Sequence, residues 1–127
     1  MKSSCTKGGR ARTIPITNGY QHVLLREAKA LAKGGSLIPA HLKYIQQQNR
    51  YDRQTHKAGM SKLHGLRHDY AQRRYRQLTG WRCPASGGPA SKDLSSEQRA
   101  IDQDARLKIS HELGHARESI TAVYLGR

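Results

Sequence analysis

The 127-residue chain carries 23 Lys and Arg against nine Asp and Glu, a formal net charge of +14, with 35% hydrophobic residues and no Phe. Charge of that size self-repels unless a polyanion neutralises it, which points to a nucleic-acid backbone as partner and away from a basic balance tuned only for solubility. The length fits one domain with a modest core, no run of about eighteen apolar residues could span a membrane, and Met1-Lys2-Ser3-Ser4 opens no apolar stretch of the secretory type.

In chain order, Gly8-Gly9 reads as a tight turn and Arg12-Thr13-Ile14-Pro15-Ile16 as a strand. Its Pro confines that strand to a sheet edge or a strand end, so a small N-terminal β-hairpin is expected. Asn18-Gly19 closes the strand and caps a helix over about 20–33, with Val23, Leu24, Ala28, Leu31 and Ala32 on one face and Gly34-Gly35 as its stop. A second helix is predicted from Pro39 to Lys57, carrying Leu42, Tyr44, Ile45 and Tyr51, and Gly59 ends it. A third spans about 66–78, with Arg67, Tyr70, Ala71 and Tyr75, before Gly80 breaks it. Residues 80–94 hold two prolines and three glycines and form the one real loop, with Trp81 as its anchor to the core. Ser95-x-x-Gln98 is a capping box for a fourth helix whose apolar side is Ile101, Ala105, Leu107, Ile109 and Leu113, and Gly114 ends it. A short last helix over about 117–125 carries Tyr124. The fold class is therefore mainly α with a small N-terminal β-hairpin. Cys5 and Cys83 have neither disulfide nor zinc-knuckle spacing and read as reduced thiols of a cytosolic protein.

Two chemistries compete for the end of the chain. His111-Glu112-x-x-His115 has the spacing of a zinc-protease helix, but a catalytic zinc needs a third protein ligand. The extended form of that motif would want Gly at 118 and His at 121, where the chain has Glu118 and Thr121, and Gly114 stands between the two His as a helix stop. The other chemistry is phosphodiester transfer, for which His64-Gly65-Leu66-Arg67 supplies a second box that a zinc protease does not need. Transesterification of DNA requires a nucleophile, donors on the non-bridging phosphate oxygens, and a proton for the leaving 5′-oxygen. A tyrosine forms a covalent phosphodiester that keeps the bond energy, and an arginine fork matches a pair of phosphate oxygens. A histidine can donate to the same oxygens or handle the nucleophile's proton. Taken singly, Tyr124 reads as a core tyrosine like Tyr70 or Tyr75, Arg67 as a surface cation, His64 as a plain helix-start residue and Lys7 as one basic residue among several. Their joint spacing favours the transfer chemistry.

Read together, these segments resemble the tyrosine recombinases, the phage-integrase family. HGLRH at 64–68 is similar to the family's H-x-x-R box and LGH at 113–115 to its L-G-H segment. TAVYLG at 121–126 is similar to the nucleophile box, with Tyr124 nine positions after His115, and TKGGRARTIPI at 6–16 resembles the hairpin that carries the catalytic lysine, here Lys7. The wording is also similar to a subgroup of proteobacterial prophage integrases, with an insertion at about 79–104.

The resemblance implies the C-terminal part of a tyrosine-recombinase-like catalytic domain, one truncated domain over 1–127. It implies that Tyr124 attacks the scissile phosphate, that Arg67, His64 and His115 hold its oxygens, and that Lys7 protonates the leaving oxygen. It implies no metal or other cofactor, and as partners double-stranded DNA and other recombinase subunits, in the cytoplasm at the nucleoid. The family's first catalytic Arg lies in a Gly-Leu-Arg-x-x-Glu stretch ahead of the lysine hairpin; Leu25-Arg26-Glu27 follows the hairpin and is in the wrong order. The chain is accordingly expected to be weak or inactive alone. The alternative is a remnant that binds DNA through its basic face without cutting it.

Overall fold

The computed structural model describes residues 11–61, 63–115 and 118–127. The chain divides into two compact units, one formed by Pro15–Lys62 and the other by the chain on either side of it.

The Pro15–Lys62 unit holds α1 (Gly19–Ala32) and α2 (Tyr44–Lys57). Asn18 caps α1 as its side chain suggests, with Oδ1 accepting from the Tyr20 amide at 2.7 Å. Lys33 and Gly34, both at positive φ, end it. α2 begins at Tyr44 rather than Pro39. Residues 39–42 make a separate turn, Leu42 N to Pro39 O at 2.9 Å, and Gln46 Oε1 then caps the Lys43 amide at 2.8 Å. No residue of either helix is buried. The expected apolar face of α1 stays open, with Leu31 77% exposed.

The other unit is built from α3 (Gly65–Thr79), α4 (Ser96–Leu113) and α5 (Glu118–Leu125), each packed on the other two. Its core is Ala71, Tyr75, Cys83, Ala105, Ile109, Leu113, Tyr124 and Leu125, with Trp81 packed at its edge. The capping box of α4 forms as expected: Ser95 Oγ accepts from the Gln98 amide at 3.2 Å and Gln98 Oε1 from the Ser95 amide at 3.0 Å. The buried side of α4 is not the expected one throughout. Ile101 and Leu107 face solvent, while Asp102 and Arg106 are buried. Asp102 earns its place by accepting from the Tyr75 hydroxyl at 2.5 Å and from Arg106 Nε at 2.8 Å, so buried charge is paired and hydrogen-bonded. Residues 80–94 are a loop with two short 3₁₀ turns, Pro84–Ser86 and Ser91–Asp93.

The described residues contain five α-helices and no strand. Residues 11–18, which include the strand expected at Arg12–Ile16, are irregular. A strand needs a partner ladder, and what fixes Arg12 is its side chain, which reaches the end of α4. The first half of the expected hairpin, at residues 1–10, lies outside the described residues, as does Lys7.

Candidate active site

The end of α4 organises the site. Gly114 takes the left-handed conformation, φ 74°, and stops the helix, which leaves the last carbonyls without helical partners. The carbonyl of Leu113 accepts from two guanidinium groups, Arg67 Nη2 at 2.8 Å and Arg12 Nη1 at 2.9 Å. Two cations at a helix C-terminus also answer the negative end of its dipole. A side chain at 114 would collide with Arg12, its Cβ lying 1.9 Å from Nη1. Gly114 thus serves both the turn and the close approach of Arg12.

His115 follows this turn. Its Nε2 lies 3.4 Å from Arg67 Nη2 and its Nδ1 lies 3.2 Å from the hydroxyl of buried Thr121. A guanidinium offers only donors, so Nε2 accepts from Arg67 and Nδ1–H donates to Thr121. Burial, then the charges of Arg67 and Arg12, hold the His115 pKa below its ordinary value. Each of these influences favours the neutral ring over the imidazolium.

Tyr124, on α5, is 6% exposed and sits among three imidazoles. The His115 ring stacks on it at 5.3 Å between centroids, His68 lies at 4.5 Å, and His64 Nε2 is 3.3 Å from the phenolic oxygen. His64 occupies the N-cap of α3 and His68 the following turn, and their rings meet edge to face at 5.9 Å. Four of the five residues singled out from the sequence, His64, Arg67, His115 and Tyr124, are thus brought together, while Lys7 lies outside the described residues. Sequence reasoning missed Arg12, His68 and Thr121. His68 had a signal, being one helical turn after His64 in HGLRH; Arg12 had none beyond its place in a basic segment.

Glu112 takes no part in this cluster. It accepts from Arg74 Nε and Nη2 at 3.1 and 3.0 Å and from the Tyr70 hydroxyl at 2.6 Å, a nearly buried network that ties α4 to α3. With α4 ending at Leu113, His115 lies beyond the helix that carries His111, so HELGH does not form one metalloprotease helix. Tyr70 and Tyr75 are structural, as expected, each donating to a carboxylate. Burial and that carboxylate push both phenols well up.

A family model described as Integrase matches residues 4–73. It covers more than half of the chain, which belongs to the integrase family. That family supports a role in DNA integration and recombination and suggests DNA as a partner. The matched stretch includes Lys7, His64 and Arg67 and stops before His115 and Tyr124. No curated protein and no solved structure matches the chain. Among the described residues, no helix is long and apolar enough to cross a membrane.

Proposed function

We propose that the chain is the C-terminal catalytic portion of a tyrosine-type site-specific recombinase of prophage origin, acting on double-stranded DNA. The observation that carries this reading is the convergence of His64, Arg67 and His115 around Tyr124, residues up to 60 positions apart that a packing tyrosine would not need. Arg67 also keeps a buried Nε that meets no acceptor among the described residues, a donor suited to a phosphate oxygen.

The Tyr124 oxygen attacks the scissile phosphorus as its proton passes to His64 Nε2. The P–O5′ bond breaks, the 5′-oxygen takes a proton from Lys7, and a 3′-phosphotyrosyl link remains. Attack of a free 5′-hydroxyl on that phosphorus expels Tyr124 and rejoins the strand. Arg67 donates to the non-bridging oxygens, where charge builds in the transition state, and His115, accepting from Arg67 at Nε2, orients that guanidinium.

A nicked suicide duplex tests this, with the chain alone and with the chain joined to a segment that supplies the family's first Arg. Loss of one such donor costs roughly 10²–10³ in rate, so the joined protein should form the covalent adduct and the chain alone very little. Tyr124→Phe should abolish the adduct and spare duplex binding. An adduct that survives Tyr124→Phe would remove the nucleophile. Binding without any adduct in the joined protein would favour the non-cutting remnant.

A further inference from the structure

The backbone that carries Tyr124 is held from outside its own helix. α5 has only eight residues, too few to keep an orientation without tertiary support, and beyond the Ala122 carbonyl, which accepts from the Gly126 amide at 2.8 Å, its last carbonyls look for partners outside the helix. Gln72, on α3, supplies one partner: its Nε2 donates to the Tyr124 carbonyl at 3.1 Å. The same amide is oriented by the Pro84–Ser86 turn, because Ser86 Oγ donates to Gln72 Oε1 at 2.9 Å. Two residues on, Gly126 lies against that turn so closely that an added Cβ would come within 2.8 Å of Ala85 N and 3.1 Å of Pro84 Cβ. Arg106 Nη1 donates to the Gly126 carbonyl at 2.9 Å, and the Leu125 side chain between them is fully buried.

We propose that Gln72, set by the Pro84–Ser86 turn, is a positioning residue for the nucleophile, and that with Gly126 it clamps the end of α5 so that the Tyr124 ring stays among His64, His68 and His115. The stretch at 79–104, expected as an insertion with a solvated loop, then has a role in the reaction: it sets the residue that sets Tyr124. The inference rests on reading Tyr124 as the nucleophile. In-line attack tolerates little displacement, since a shift of about 1 Å in a reacting group can cost about 10²-fold in rate.

The test reads ring positions without DNA. In protein labelled at Tyr and His, proton–proton Overhauser contacts should link the Tyr124 ring to His68 and His115. Gln72→Glu keeps an acceptor for Ser86 but has no donor for the Tyr124 carbonyl, and Gly126→Ala pushes on the turn from the other side. Both should weaken the Tyr124–His contacts several-fold while the core contact between Tyr75 and Trp81 persists, and in the adduct-competent joined protein both should lower the adduct rate by about 10²-fold at unchanged duplex affinity. Ser86→Ala, a milder change, should weaken the contacts in the same direction. Unchanged Tyr124–His contacts in Gln72→Glu and Gly126→Ala would overturn the proposal. So would loss of the Tyr75–Trp81 contact together with them in all three variants, which would assign Gln72 to the general core. Failure of the nucleophile reading shows separately, in the Tyr124→Phe adduct assay, and leaves the ring contacts as they are.

Discussion

His115 is the residue whose state the surrounding structure decides most directly. Its ring is partly removed from water and faces Arg67, with Arg12 close by on the same carbonyl, and all three influences disfavour the imidazolium. A histidine depressed in this way binds fewer protons folded than unfolded in the window just below its ordinary value of 6.5. Its contribution to stability is present above that pH and is lost as the pH falls through the folded value. Nuclear magnetic resonance titration of the His115 ring should give a midpoint below 6.5, and Arg67→Gln should move it upward. A midpoint at or above 6.5 in the unsubstituted protein would contradict this account of the site.

At the level of the helices, the two units differ in how they are held. α3, α4 and α5 share a buried core and two buried carboxylates: Asp102 is bonded to Tyr75 of α3 and Arg106 of its own helix, and Glu112 to Tyr70 and Arg74 of α3. α1 and α2 bury no residue at all and rest on local devices, the Asn18 cap and the Gln46 cap. Amides in elements with few buried contacts open at low free energy, whereas core helices approach the global unfolding free energy. Hydrogen exchange should therefore run fastest in α1 and α2 and slowest along the inner faces of α3 and α4. Equal protection in both sets would mean that the Pro15–Lys62 unit has a core of its own that the burial pattern does not reveal.

For the whole molecule, charge dominates. The excess of +14 is spread over both units, and α2 contributes a groove of about 660 Å³ lined by Arg50, Arg53 and Lys57. Each phosphate neutralised releases counterions, so duplex affinity should fall with salt at a log–log slope of about −0.9 per phosphate contacted. Titration of a labelled duplex at several salt concentrations measures that slope. Binding insensitive to salt, or none at low salt, would show that the charge serves something other than a nucleic-acid backbone.

Much of the local structure was legible without coordinates because it depends on near neighbours. Asn18, Ser95 with Gln98, Gly80 and Gly114 delimit helices through bonds and backbone angles within a few residues, and those boundaries appear where the residue types place them. The grouping of His64, Arg67, His115 and Tyr124 was legible through a joint resemblance, not through any physical rule of spacing. The start of α2 was misjudged because Pro39 can open a helix or a separate turn, and the side-chain amide of Gln46 favours the later start. The apolar sides of α1 and α4 show a different limit: apolar periodicity shows which face could be buried, not whether another element covers it. Leu31 stays 77% exposed, and Ile101 yields the interior to Asp102, whose partners Tyr75 and Arg106 make burial of a carboxylate tolerable. Arg12 and Gln72 enter the site only through contacts between distant parts of the chain. Sequence by itself determined the caps and the charge, which are properties of neighbours and of composition, and through resemblance it singled out the candidate residues His64, Arg67, His115 and Tyr124. Only the tertiary structure decided which of them meet, because a hydrogen bond between Gln72 and the Tyr124 carbonyl, or between Arg12 and the Leu113 carbonyl, exists only once the helices have packed.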